Sequence, residues 1–220
     1  MAESHILLFE PRNEGHHLMS LHHVAENLMS IGHKLTLAMD MRTNEAREVL
    51  RRKNPALLTE TNQVNAYGAN GKFRGGSELK ALREVFMASG ADKTFVDSLD
   101  GFISSMLRWS ALGINPPSEL KGKLGGIYNH PQWFPPEFAS FNNWLKKTGF
   151  AKLSREGWFN SLLILSEYYV DDLNNKYPDT NFVFLPEPGQ RPSISQQQAR
   201  RHFDLPEDAI ILLNLSLIHI

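Results

Sequence analysis

Between His5 and Met39 the hydropathy changes period twice, and this limits the fold more than any other feature. HILLF (5–9) is a continuous apolar run stopped by Pro11 and an Asn13–Gly15 turn, which predicts a buried strand. From His16 to Ile31, the residues Leu18, Leu21, Val24, Ala25, Leu28 and Met29 recur at helical spacing. Gly32 then stands where a left-handed C-cap belongs. HKLTLAM (33–39) returns to a strand. Strand, short loop, helix and strand make a βαβ unit, which commits the chain to a parallel sheet with a right-handed crossover.

The alternation continues. Helices are expected over 44–53, 78–89, 101–112, 138–147 and 167–177, and strands over 93–96, 123–130, 161–166 and 181–189. This predicts an α/β fold with a doubly wound, Rossmann-like, mostly parallel sheet. Residues 55–77, rich in Asn, Gly and Thr, are expected to form an excursion loop over the sheet's edge. LPEPGQRPSIS (185–195) has linker composition. Beyond it come a polar helix (194–203), a turn at Asp204–Asp208 and a new apolar strand. The expected organisation is a domain over 1–190, then a linker and the start of a second domain over 191–220.

A formal net charge of −1 gives no basic excess with which to neutralise phosphates, so nucleic acid is not an expected partner. The chain has no cysteine, which excludes disulfides and thiolate metal sites. MAESHILLFE lacks the basic and long apolar regions of a signal peptide. No stretch reaches the ~18–20 apolar residues of a spanning helix. A cytoplasmic location is the expectation.

Four histidines, His16, His17, His22 and His23, fall within eight positions. Their spacing across the helix is five to seven residues, and a seven-residue offset is about 10 Å along the axis. No shared metal ion is expected from them. The loop is better placed for function. Glu14, Gly15, His16 and His17 follow the first strand at a helix N-terminus, where free N–H groups favour an anionic or hydroxyl-rich ligand. A tight turn with two surface histidines is the alternative. Asp100 and His130 each follow an expected strand and so face the same crevice. Either would orient a hydroxyl or act as a general base, although Asp100 equally suits a helix start. His17 and His130 are the catalytic candidates. The loop is not GxGxxG, so a dinucleotide site is poorly supported. PQWFPPEF and residues 143–159 mix aromatics with Lys and Arg. That composition allows weak peripheral membrane contact, while Gly149 and Gly157, which interrupt the helical face, favour packed aromatics with solvated charges.

HILLFEPRNEGHHLMSLHHVAENLMSIGHKLTLAMD, with its Gly32-His33-Lys34-Leu35-Thr36 strand entrance, resembles the opening of GT-B glycosyltransferases. FVFLPEPG resembles the segment that ends the N-terminal domain of some retaining members, and ARRHFDLPEDAIILLN resembles the start of their second domain. The resemblance spans most of 5–214, with the middle third loosely matched. It implies the acceptor half of a retaining, glycosyl transferase group 1-like enzyme. Such an enzyme uses a nucleotide-sugar donor as substrate, a saccharide or lipid-linked hydroxyl acceptor, and no resident cofactor or metal. Glu14, Gly15, His16, His17, Asp100 and His130 would line the acceptor wall. The family's donor domain would follow residue 214, so the chain is expected to be truncated and inactive as it stands. Two rival readings are a non-catalytic carbohydrate-binding or regulatory domain of the same fold, and an unrelated doubly wound enzyme such as a nucleotide-sugar epimerase or reductase.

Overall fold

In the computed structural model, which describes residues 4–12, 17–129, 131, 133–134, 140–186 and 195–206, seven strands form one parallel sheet. They are β1 (His5–Glu10), β2 (Lys34–Met39), β3 (Asn62–Asn65), β4 (Lys93–Val96), β5 (Leu124–Ile127), β6 (Phe159–Ile164) and β7 (Asn181–Phe184). Their order is β3-β2-β1-β4-β5-β6-β7, so the winding reverses between β1 and β4. The expected doubly wound α/β class is the observed one.

The helices of this unit are α1 (His17–Ser30), α2 (Glu45–Lys53), α3 (Ala56–Glu60), α4 (Glu78–Ser89), α5 (Asp100–Ala111), α6 (Phe141–Arg155) and α7 (Glu167–Lys176). Alternation along β1 sorts them into two layers. Ile6 and Leu8 pack with Leu18 and Leu21 of α1, Leu50 of α2 and Leu57 of α3. Leu7 and Phe9 point the other way, into a cluster with Leu82 of α4, Ile103 of α5, Phe150 of α6 and Leu173 of α7. A central strand buried on both faces must read as an unbroken apolar run, and HILLF does. Gly32, at φ +87°, ends α1 as expected.

Several boundaries differ from the sequence reading. Within 55–77 the chain forms α3 and then β3, a true edge strand paired with β2 from Thr36↔Asn62 to Met39↔Asn65. Its sequence, NQVN, is polar because an edge strand needs little apolar surface, so hydropathy alone conceals it. The opposite edge, β7, is less protected, with Val183 40% and Phe184 36% exposed. β5 ends at Ile127, β6 begins at Phe159 and β7 stops at Phe184. α6 runs through Gly149 to Arg155 rather than stopping near Lys147. There Gly149 is a contact point: a Cβ on it would lie 1.8 Å from the carbonyl oxygen of Leu107, so α5 and α6 approach backbone to backbone. Among the described residues of this region, Trp133, Phe150, Trp158 and Phe159 are buried, and Phe141 and Trp144 are exposed as a stacked pair.

The chain divides into compact units of residues 1–186 and 187–220. In the second, α8 (Gln196–His202) starts with a reciprocal cap in which Ser195 Oγ accepts from Gln198 N and Gln198 Oε1 accepts from Ser195 N. The apolar strand expected after Asp208 lies outside the described residues. Among the described residues no helix is long and apolar enough to cross a membrane.

Candidate functional site

The winding reverses between β1 and β4, the place where open α/β sheets bind ligands, and three ionisable side chains converge at the carboxyl ends of these strands. Glu10 is the last residue of β1 and is fully buried. Burying a carboxylate requires that its oxygens be satisfied. Oε1 accepts from the backbone N–H of Arg12 at 2.9 Å, and Oε2 pairs with Nδ1 of His17 at 3.1 Å. His17 is the first residue of α1, so a single short loop brings the strand end and the helix start together. The hydrogen bond to Glu10 raises the His17 pKa above its ordinary value, overriding the opposing effect of burial.

Asp97, the residue after β4, completes the group. It is 4% exposed, accepts a 2.8 Å hydrogen bond from Ser20 Oγ on the first turn of α1, and donates its own N–H to Phe9 O. Burial pushes its carboxyl pKa up to about 7; the Ser20 bond works against this and the Glu10 charge reinforces it. One donor atom from each of Glu10, His17 and Asp97 lies within 4.8 Å of the others.

A second layer holds the group in place. Arg12 donates to Ser98 Oγ at 2.8 Å and lies 3.6 Å from Glu78 Oε2. Burial raises the Glu78 pKa, partly offset by the Arg12 charge. Gly101 lies beneath them: a Cβ there would lie 2.2 Å from an Arg12 nitrogen and 2.7 Å from both Glu78 oxygens, so the ends of those two side chains would have to move. Beyond β2, Arg42 grips Asp40 with two side-chain N–H groups at 2.9 and 2.6 Å. Its guanidinium stacks 3.8 Å above the Tyr67 ring, and the Tyr67 hydroxyl donates to Pro11 O at 3.2 Å. The hydrogen bonds from Arg42 lower the Asp40 pKa below its ordinary value, against the opposing effect of burial.

Of the residues expected at the site, His17 lies at its centre. Asp100 sits at the start of α5, where its Oδ2 accepts the backbone N–H of Asn129 at 3.0 Å and ties α5 to the chain leaving β5. It is not one of the three groups that converge. Glu14, Gly15, His16 and His130 lie outside the described residues. The sequence reading missed Glu10 and Asp97. Each is an acidic residue at the end of an apolar strand, a position with no exposed neighbour to account for its charge, and that was the available signal.

No family model and no curated protein sequence matches the chain. Among solved structures, the fold is similar to the crystal structure of TcCGT1 in complex with UDP, with a TM-score of 0.46, 10% identity, and 93% of this chain against 56% of that one covered. It is also similar to AnUbiX (PadA1) in complex with FMN and dimethylallyl pyrophosphate, with a TM-score of 0.35, 13% identity, and coverage of 86% and 100%. A third is Acinetobacter baumannii MurG, with a TM-score of 0.26, 10% identity, and coverage of 85% and 69%. The chain thus spans about half the length of the TcCGT1 chain. None of these likenesses assigns an activity to it.

Proposed function

We propose that this chain is the acceptor-side half of a glycosyltransferase that moves a sugar from a nucleotide-sugar donor to a hydroxyl acceptor, with His17 as the general base. One observation carries the reading: the buried Glu10 carboxylate holds Nδ1 of His17 at the carboxyl ends of β1 and β4, with Asp97 alongside. When Nδ1–H donates to Glu10, the basic lone pair of the neutral ring is on Nε2. As acceptor hydroxyl oxygen attacks the anomeric carbon, its proton passes to Nε2 and the bond to the diphosphate leaving group breaks. The imidazolium that forms is stabilised by Glu10. Direct attack by an activated hydroxyl inverts the anomeric centre, whereas the sequence resemblance implies retention. The donor would be held by a second domain, as the sequence resemblance implies. A lipid-linked acceptor would bring a membrane surface to the exposed Phe141–Trp144 pair.

The test is the activity of the complete reading frame toward a panel of nucleotide sugars and hydroxyl acceptors, with the anomeric configuration of the product read by NMR. Transfer that disappears in His17→Gln while acceptor binding persists supports the reading. Transfer that is unaffected by His17→Gln overturns the assignment of the base. Saccharide binding without transfer by that full-length protein would favour a recognition domain of the same fold.

A further inference from the structure

His17 leaves the rest of the histidine-rich helix unexplained. On the flank of α1 away from Asp97, His22 is 6% exposed, yet its two ring nitrogens are buried and neither makes a hydrogen bond among the described residues. A buried imidazole ordinarily donates one hydrogen bond and accepts another. One helical turn on, Glu26 presents its Oε1 at 3.7 Å from His22 Nε2. That separation is too long for a hydrogen bond. It is close to the edge of a tetrahedral coordination shell, since two donors about 2.0–2.1 Å from a zinc ion lie about 3.4 Å apart. His23 stands edge-on to His22 with ring centroids 5.2 Å apart, and one donor atom from each of His22, His23 and Glu26 lies within 4.8 Å of the other two.

We infer that His22, His23 and Glu26 form a binding site for a zinc-class divalent cation, held by two imidazoles and one carboxylate. The donor set of borderline nitrogens and a single carboxylate oxygen suits Zn²⁺ or Co²⁺ and not Mg²⁺ or Ca²⁺, which need oxygen cages. Three protein ligands leave a fourth tetrahedral position for water or an incoming group. The site has its own supporting contact: Asn54, at the C-terminal cap of α2, donates to Glu26 Oε1 at 2.9 Å and fixes the carboxylate against the helix flank. The Lys53 charge acts on His22 in the opposite sense to the Glu26 charge, whose effect is the larger. The histidine spacings considered in the sequence leave this site out because they pair histidine only with histidine. The bidentate spacing here is between His22 and Glu26, four residues apart. The site is separate from Glu10, His17 and Asp97 and does not rest on the proposed transferase reaction.

The experiment titrates tag-free protein with Zn²⁺ while following the histidine ring resonances by NMR, and with Co²⁺ while following its visible absorption. The expected result is saturable binding at one equivalent, with His22 and His23 shifting, His17 unmoved, and Zn²⁺ displacing a tetrahedral Co²⁺ spectrum. Glu26→Gln, an exposed and fold-neutral change, and His23→Gln should each weaken Zn²⁺ binding at least about tenfold, no less than loss of an outer-shell partner costs. His22→Gln should do the same, with circular dichroism confirming that the variant is folded. His17→Gln should leave the affinity unchanged. Absence of saturable binding overturns the inference. So does binding that survives Glu26→Gln and His23→Gln unweakened, or that is lost in His17→Gln, which would place the ion at the Glu10 group instead.

Discussion

His17 Nδ1 lies 3.1 Å from Glu10 Oε2, and because Glu10 is wholly buried, the pair fixes both the position and the proton affinity of the imidazole. In the proposed transfer the base works in its unprotonated form, so the rate should rise with pH through a His17 pKa that Glu10 raises above its ordinary value. His17→Ala should lower kcat by about 10²–10⁴-fold. Glu10→Gln removes the group that raises the pKa, so the ascending limb should move to lower pH while the plateau falls. Steady-state kinetics across pH would show both effects. A limb left in place by Glu10→Gln would show that the pair does not set the titration.

Asp97 should make the fold less stable as pH rises. Its carboxyl titrates near 3.8 when unfolded and about 7 when folded, so between those values the folded chain holds the extra proton. Stability then falls with increasing pH, by at most about 1.4 kcal/mol per unit. Asp97→Asn should match the wild type only at roughly pH 3, below both values, and exceed it increasingly up to roughly pH 8, as read by urea unfolding across that range.

Arg42→Lys should be far from conservative. A lysine offers one ammonium where Asp40 now receives two parallel N–H groups, and it loses the planar stack on Tyr67. The Asp40 pKa is depressed when folded, so the stability it contributes is present above 3.8 and is lost as pH falls through the folded value. The deficit of the variant in thermal unfolding should therefore be greatest near neutrality and close in acid.

Gly149→Ala should destabilise the protein although alanine is the better helix former. The new methyl group would meet the Leu107 carbonyl oxygen at 1.8 Å, so α5 and α6 must separate. Overpacking of this kind costs about 1–3 kcal/mol, which outweighs the ~1 kcal/mol gain in propensity. Urea midpoints of the two proteins would decide the sign.

The parallel sheet was legible because its central strands are buried on both faces and must be apolar throughout: HILLF, KLTLAM and KTFV lead straight to β1, β2 and β4. β3 was not legible, because NQVN is held by backbone pairing to β2 and buries little side-chain area. The site was half legible. His17 stood out as a histidine at a helix start, but Glu10 and Asp97 sit inside apolar surroundings where a reading of solvent-facing loops does not look. Asp100 was the more conspicuous acid in the same stretch, and its Oδ2 accepts the backbone N–H of Asn129.

The two margins of the sheet are unlike, and this gives the molecule a direction for self-association. Among the described residues no strand pairs with the outer side of β3 or of β7. A second copy arriving at β3 meets amide side chains, whereas one arriving at β7 meets Val183 and Phe184 beside unpaired backbone groups. A net charge of −1 supplies almost no repulsion to keep copies apart. Among the described residues the β7 margin is thus the apolar rim, and Val183→Lys would make pairing of a second copy there less favourable.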